Sequence, residues 1–326
     1  MRAVLCKDYG GIDGLVVEEV PSPTPGPGEV RIKVEACGVN FPDTLIVAGK
    51  YQFKPDPPFS PGGEITGIVA ELGEGVGDFS VGDAVIAITI WGGFAEEIVV
   101  PAEKLLRRPA SMDPAIAAGF AMTYGTSIHA LTQRADMRAG ETLLVLGASG
   151  GVGLAAIEIG KAMGARVIAA AGTAEKLKVA REAGADETVN YTDEPLKDRV
   201  KELTGGEGAD VVFDPVGGAT TEQALRATGW RGRLLVVGFA SGEIPKIPAN
   251  LTLLKGCAVV GVFWGDFVRR EPEANRANFE RLFDWHAAGT LKPLVSETFA
   301  LADAPDALHR LANRQAVGKL VVDPTR

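Results

Sequence analysis

The sequence predicts an α/β protein in which a doubly wound parallel sheet is joined to an antiparallel β-rich domain. Three observations predict it. The chain has 326 residues, which at about 150 residues per domain allows roughly two domains. Up to about residue 120 the apolar runs are short, often alternating, and closed by turns. From about residue 123 the rhythm becomes apolar run, helical stretch, apolar run, a spacing that argues parallel strands with helices on both faces.

The elements follow in order. The start, MRAVLC, reads as a first strand, with neither the long apolar core nor the cleavage site of a secretory leader. Pro21–Gly28 holds four prolines that fix φ and remove donors, so it is a turn-rich connection. Val30–Ala36 and Glu64–Leu72 alternate as half-buried strands do, and Ala84–Ile90 is apolar. Thr142–Leu146 is a buried strand followed by glycines and a helix to Met163. Arg166–Ala170 is the next strand and Ala174–Ala183 the next helix; Val211–Phe213, Arg233–Val237 and Ala258–Phe263 are further strands. The tail carries a helix near 274–288 and a last strand, Lys319–Val322. One helix and one strand cannot fold alone, so the tail is expected to return to the first domain. The expected domains are therefore 1–122 with 267–326, and 123–266.

Composition narrows the function. Hydrophobic residues make up 46% and charged residues 23%, which excludes whole-chain disorder. The formal net charge is −9, which disfavours nucleic acid as the main partner because phosphate backbones need a basic field. No apolar run reaches the roughly 18 residues of a membrane span. Cys6, Cys37 and Cys257 are too few and too far apart for a disulfide framework or a zinc cluster. A soluble, cytoplasmic protein is expected. His129, His286 and His309 show no triad or ligand spacing, although His129 lies one helical turn after Thr126.

The strongest signal is Gly147-Ala-Ser-Gly-Gly-Val-Gly153, directly after the strand. It fits a dinucleotide turn with Ala148 in the first glycine position. The turn needs small residues, Gly150 lets the backbone approach a pyrophosphate, and Gly153 lets the helix pack on the strand. The helix N-terminus adds N–H donors and positive potential. Its place between a strand and a helix is the context such a motif needs. About twenty residues on, where an acid would hold the ribose 2′-hydroxyl of NAD, the chain reads Ala169-Ala-Ala-Gly-Thr173, with no acid until Glu175. Thr173 and Lys176 instead suit a 2′-phosphate, which favours NADPH. The alternative is that Thr173 merely caps the next helix and Lys176 is solvated.

Gly140-Glu141-x-x-Leu144, Ala148-Ser-Gly-Gly-x-Gly153 and Lys161 together resemble the signature of the zinc-free quinone oxidoreductase and zeta-crystallin branch of the medium-chain dehydrogenase/reductase superfamily. Glu158 departs from it, standing where that signature has glutamine. Gly38-Val-Asn-Phe-Pro-Asp43, Pro61-Gly-Gly-Glu64, Phe213-Asp-Pro-Val-Gly-Gly218 and Val237-Gly-Phe-Ala-Ser-Gly242 extend the resemblance along the chain. It implies a Rossmann domain and a GroES-like catalytic domain. Zinc-dependent relatives carry cysteine where Asn40 stands and histidine where Gly63 stands; of that group only Glu64 remains, so no metal is expected.

The resemblance also implies roles. Asn40 would hydrogen-bond the nicotinamide ribose or the substrate carbonyl. Thr126 would approach the carboxamide or a phosphate from its helix start. Gly150, Gly151 and Val152 would cradle the pyrophosphate. Thr173, Lys176 and Tyr191 would surround the 2′-phosphate, with Arg314 closing on it. Phe239, Phe263 and Gly265 would line the nicotinamide end. Plainer alternatives stand beside these: a turn role for Asn40, core rings for Tyr191, Phe263 and Trp264, a surface charge for Arg314. Leu45 stands where many such reductases have tyrosine; Tyr51 is the candidate replacement, a packed ring the alternative. The implied reaction is hydride transfer from NADPH, in a cleft between the domains, to a quinone or an α,β-unsaturated carbonyl compound. Enoyl or acrylyl thioesters are the alternative, with Arg269 and Arg270 suiting a coenzyme A phosphate or merely solvated. A cofactor-binding structural or regulatory protein is the alternative of another class. Gly256–Phe263 is expected as an exposed sheet edge, and relatives that pair there imply a homodimer.

Overall fold

The computed structural model describes residues Met1–Arg326 and divides into two compact units, Met1–Met122 with Leu294–Arg326, and Thr123–Pro293. The first unit begins with the β1 (Arg2–Cys6) and β2 (Leu15–Glu19) hairpin. Then come β3 (Glu29–Gly38), helix α1 (Phe41–Val47), β4 (Glu64–Leu72), β5 (Ala84–Ile88), β6 (Glu97–Pro101), β7 (Leu105–Arg107) and α2 (Pro114–Ala118). Strand β3 alternates along most of its length, burying Val30, Ile32 and Val34. It pairs antiparallel with β4 on one side and with β6 along its first half.

The second unit opens at Thr123, within α3 (Ala121–His129), which continues as a π turn over Ala130–Arg134. The wound part is β8 (Thr142–Leu146), α4 (Gly151–Ala162), β9 (Arg166–Ala171), α5 (Ala174–Glu182), β10 (Glu187–Asn190) and α6 (Leu196–Leu203). It goes on with β11 (Ala209–Asp214), α7 (Ala219–Ala227), β12 (Thr228–Val236), α8 (Ala249–Lys255) and β13 (Ala258–Gly261). Every pair is parallel and the order is β10-β9-β8-β11-β12-β13. Strands β8 and β9 are buried almost throughout, as a sheet covered on both faces requires. The order reverses between β8 and β11, and ligands bind such sheets outside the carboxyl ends of the strands at that switch point.

Helices α9 (Trp264–Arg270) and α10 (Pro272–Ala287) complete this unit. The expected boundary at 266 is therefore corrected to Pro293. The cause is packing: Gly125 on α3 leaves room against the Trp264 and Phe279 rings, which lie 6.4 Å apart. The returning tail holds two elements that the sequence reading passed over, β14 (Val295–Ala300) and α11 (Ala304–Ala312), before β15 (Lys319–Asp323). Strand β15 pairs antiparallel with β3, giving the order β14-β15-β3-β4-β5-β7. Helix α11 buries Ala304, Ala307 and Leu308 on that sheet and carries its polar residues, Asp306, His309 and Arg310, between and after them. No helix is long and apolar enough to cross a membrane.

Candidate functional site

Each unit carries one concentration of functional groups. In the second unit, β8 ends at Leu146 and the chain turns at Gly147, whose φ of 56° favours glycine. Gly150 is the N-cap of α4. A Cβ at Gly153 would meet the Gly147 carbonyl oxygen at 2.4 Å, so helix and turn are in backbone contact there. At Gly150 the nearest protein atom to an added Cβ is that same oxygen at 3.4 Å, so the approach to this backbone is otherwise open. Gly151 and Val152 open the helix, where N–H groups have no acceptor within the helix. The Val152 carbonyl accepts from Ser127 Oγ at 3.0 Å, which ties the first turn of α4 to α3. Composition gave no signal for Ser127.

Across the switch point lies the loop after β11. A Cβ on Gly147 would stand 3.0 Å from Val216 Cγ2. Phe239 packs against Gly217 of the same loop and is half-buried. Phe263 is 54% exposed at the N-cap of α9, and Gly265 is exposed one residue into it, whereas Trp264 is buried with its indole N–H donating to Asn275 Oδ1. The core alternative thus holds for Trp264 and not for Phe263.

At the end of β9, Thr173 caps α5, its hydroxyl accepting from the Lys176 N–H at 3.4 Å. The capping alternative therefore describes what the Thr173 side chain does, and the residue is exposed. Tyr191 follows β10 and lies alongside Gly172, with its ring partly packed on the sheet core. Thr173, the Lys176 N–H and the Tyr191 ring thus meet around Gly172–Thr173, and the Glu175 carboxylate hydrogen-bonds the Thr173 side chain beside them. Arg314 sits in the other unit, exposed and left-handed at φ 58° after α11.

One expected placement changes. Thr126 lies in the middle of α3, not at a helix start, because that helix begins at Ala121. His129 is buried, stacked on Phe267 at a ring distance of 3.9 Å and bonded through Nδ1 to Gln133. Burial lowers its pKa. Glu158 acquires a reason: Oε2 accepts from the Tyr124 hydroxyl at 2.8 Å and from the Lys292 N–H at 2.9 Å. Burial raises the pKa of this carboxyl and also that of Tyr124.

In the first unit, β3, β4, β15 and the start of α1 bring together Asn40, Asp43, Glu64 and Lys319, all buried. The Lys319 ammonium donates to Asn40 Oδ1 at 2.7 Å, Glu64 Oε2 at 3.1 Å and the Val39 carbonyl at 3.1 Å. Asn40 Nδ2 donates to Glu64 Oε2 at 2.9 Å and to the Gly38 carbonyl at 3.2 Å. Both amide protons are spent, and the remaining capacity of Asn40 is one lone pair on Oδ1. Asp43 accepts from the Asn40 N–H at 2.7 Å; burial pushes its carboxyl up to about 7, against that hydrogen bond and the Lys319 charge. Tyr51 packs on the cluster of Cys6, Ile46, Val47 and Phe59, and burial, aided by the Asp43 charge, raises its hydroxyl. The packed-ring alternative describes it. Lys319 was missed because a lysine opening an apolar strand looks like a solvated strand end.

The comparisons agree with this architecture. Residues 26–110 match the alcohol dehydrogenase GroES-like domain model and residues 151–285 the zinc-binding dehydrogenase model. A quinone oxidoreductase-like protein 2 homolog from Nematostella vectensis is 41% identical, covering 99% of this chain and 88% of its own. A 2-haloacrylate reductase from Burkholderia is 35% identical over 99% of both chains. The Escherichia coli quinone oxidoreductase, solved in complex with NADPH, superposes with a TM-score of 0.92 at 30% identity, covering 99% of this chain and 100% of its own. The fold and the glycine turn are those of a dehydrogenase/reductase of the medium-chain type. The chain belongs to the quinone oxidoreductase branch of that superfamily.

The zinc in the second model's description does not fit these residues. A side chain at Gly63 would strike the Ile90 carbonyl oxygen at 2.8 Å, so a histidine there has no room. The cation beside Glu64 is the ammonium of Lys319. No three or more His, Cys, Asp or Glu side chains come together as a ligand set, and zinc wants about four N, S or O ligands. A dinucleotide does fit: the turn at Gly147–Gly153 leaves open backbone where a pyrophosphate needs it.

Proposed function

We propose that the chain is an NADPH-dependent reductase that passes a hydride to the electron-poor double bond of a quinone or an α,β-unsaturated carbonyl compound. The observation that carries the reading is the end of β9, which runs Ala171-Gly172-Thr173 with no acid in the strand, beside Lys176, Tyr191 and an open glycine turn. The nearest carboxylate, Glu175, is held by the Thr173 side chain. The reduced nicotinamide supplies the hydride when bound; the protein's part is to bind and orient. Gly150, Gly151 and Val152 present backbone donors to the pyrophosphate. Thr173, Lys176 and Tyr191 receive the 2′-phosphate. Phe239, Phe263 and Gly265 offer apolar or bare surface for the nicotinamide.

Of the two roles considered for Asn40, the saturated amide favours one. A lone pair on Oδ1 accepts from a ribose hydroxyl; it cannot stabilise negative charge on a substrate oxygen. Tyr51 holds its proton more firmly than a free phenol, so water is the better proton source. The similarity to a 2-haloacrylate reductase favours a small conjugated acid as a second substrate class. Arg269 and Arg270 both pair with Asp266, at 2.8 and 2.5 Å, which weakens the coenzyme A reading.

The test is NADPH oxidation with a panel of quinones, enones, haloacrylates and enoyl thioesters. Turnover with at least one conjugated acceptor is expected. Tight NADPH binding with no turnover on any of them would sink the reductase reading in favour of a structural or regulatory role. Lys176→Ala is expected to raise the KM for NADPH about tenfold, or ~1.4 kcal/mol, and to leave that for NADH unchanged.

A further inference from the structure

Asp214 ends β11 and is buried, 2% exposed. Nothing in the reading above gives it a task, yet it is the most heavily engaged carboxylate near the switch point. Oδ1 accepts from the N–H groups of Val216 at 2.9 Å and Gly217 at 3.0 Å. Oδ2 accepts from the Thr221 hydroxyl at 2.6 Å. Its main-chain oxygen accepts from Val237 at 2.9 Å and from Gly238 at 3.4 Å. One residue therefore holds two loops, the one after β11 and the one after β12.

The two loops also hold each other. Ala240 and Ser241 donate to the carbonyls of Pro215 and Val216, and Gly218 donates to that of Glu243. Gly217 and Gly218 are left-handed, at φ 73° and 63°, as the tight return to α7 requires. A Cβ on Gly217 would lie 2.9 Å from the Glu243 carbonyl oxygen and 3.0 Å from Phe239 Cδ1. On the other side Val216 abuts Gly147 of the dinucleotide turn.

We infer that Asp214 is a positioning residue of the dinucleotide crevice, fixing Phe239 and Val216 against the glycine turn so that the nicotinamide half of the cofactor finds a preformed wall. The inference rests on the cofactor reading above. Asp214 touches no reacting atom in this assignment; it acts through the loops. The adenosine half, received at the end of β9, is independent of it.

The experiment measures the binding of NADPH and of 2′,5′-ADP, which lacks the nicotinamide, to the full-length chain and to four variants. Asp214→Ala is expected to weaken NADPH at least tenfold and 2′,5′-ADP less than twofold. General damage to the fold would weaken both alike, and that result overturns the inference. Asp214→Asn is expected to restore NADPH binding to within about threefold, since its Oδ1 still accepts both N–H groups and the Thr221 hydroxyl turns to accept from Nδ2. Should Asp214→Ala fail to fold, Gly217→Ala and Phe239→Ala carry the test, because each disturbs the wall with the Asp214 carboxylate in place. They are expected to weaken NADPH selectively, and wild-type affinity in both would overturn the inference. A wild-type chain that binds 2′,5′-ADP and NADPH equally well shows that the nicotinamide meets no wall, and overturns it too. A wild-type chain that binds neither would instead remove the cofactor reading itself.

Discussion

At the scale of single residues, the energetic centre of the first unit is a carboxylate–ammonium pair that water does not reach. Glu64 is fully buried and the Lys319 side chain 8% exposed. Removing one partner of such a pair leaves an uncompensated charge and costs about 3–5 kcal/mol. Lys319→Met is therefore expected to lose that much in urea denaturation, and Glu64→Gln with Lys319→Met to recover much of it. Losses that simply added in the double variant would show that the two groups are not coupled. Asp43 gives a pH signature. Its carboxyl is raised from 3.8 to about 7 in the folded chain. Between those values the native state holds a proton that the unfolded chain has released, so this group makes stability fall as pH rises from about 4 to 7, by on the order of 4 kcal/mol. Below that window both states are protonated, and above it both are ionised. Asp43→Asn is expected to flatten the slope, as read from the denaturation midpoint across the window.

Elements explain which parts of the site were legible. The glycine turn could be read because each glycine answers a local steric demand, and the β8–α4 junction displays those demands in consecutive residues. Gly153→Ala is accordingly expected to abolish NADPH binding and lower the melting temperature, since the added methyl meets backbone atoms that cannot yield. Thr173 and Lys176 were legible for the same reason of proximity. The Asn40–Glu64–Lys319 group was not: its members lie on β3's exit, β4 and β15, and only sheet pairing brings them together. Asn40 was found and its exhausted amide was not, because hydrogen-bond saturation is a property of neighbours distant in sequence. At the other sheet, β13 is the edge, as its position after the last wound strand suggested. Trp230, whose ring lies against Gly256 just before β13, and Leu253 and Leu254 of the preceding helix are 70–78% exposed. Exposed apolar groups next to a free strand edge invite a second copy. We propose the homodimer on that basis. Sedimentation at micromolar concentration is expected to give a dimer, and Leu253→Glu with Leu254→Glu a monomer of unchanged fold; a monomeric wild type would refute it.

For the whole molecule, the division into units makes a prediction about which pieces can exist alone. Residues 123–293 are contiguous and contain every strand of the parallel sheet. Five of the six strands could be read from the rhythm of run and helix; the short β10 could not, and the order follows only from the pairing. The first unit is discontinuous. Its sheet takes β14 and β15 from the tail, and α11 covers part of its core. The tail was harder to read because β14 alternates weakly and draws its stability from β15, its only partner. A fragment of residues 1–122 would expose the edge of β3 that pairs with Val321 and Val322 and would leave Glu64 without its cation. Long-range pairing of this kind cannot be replaced by local propensity. The fragment 123–293 is therefore expected to fold by itself, with a cooperative thermal transition and retained binding of 2′,5′-ADP. The fragment 1–122 is expected to show no cooperative transition until a peptide of residues 294–326 is added. Cooperative melting of 1–122 alone would mean that the β15 contacts, Lys319 included, are dispensable for this half of the chain.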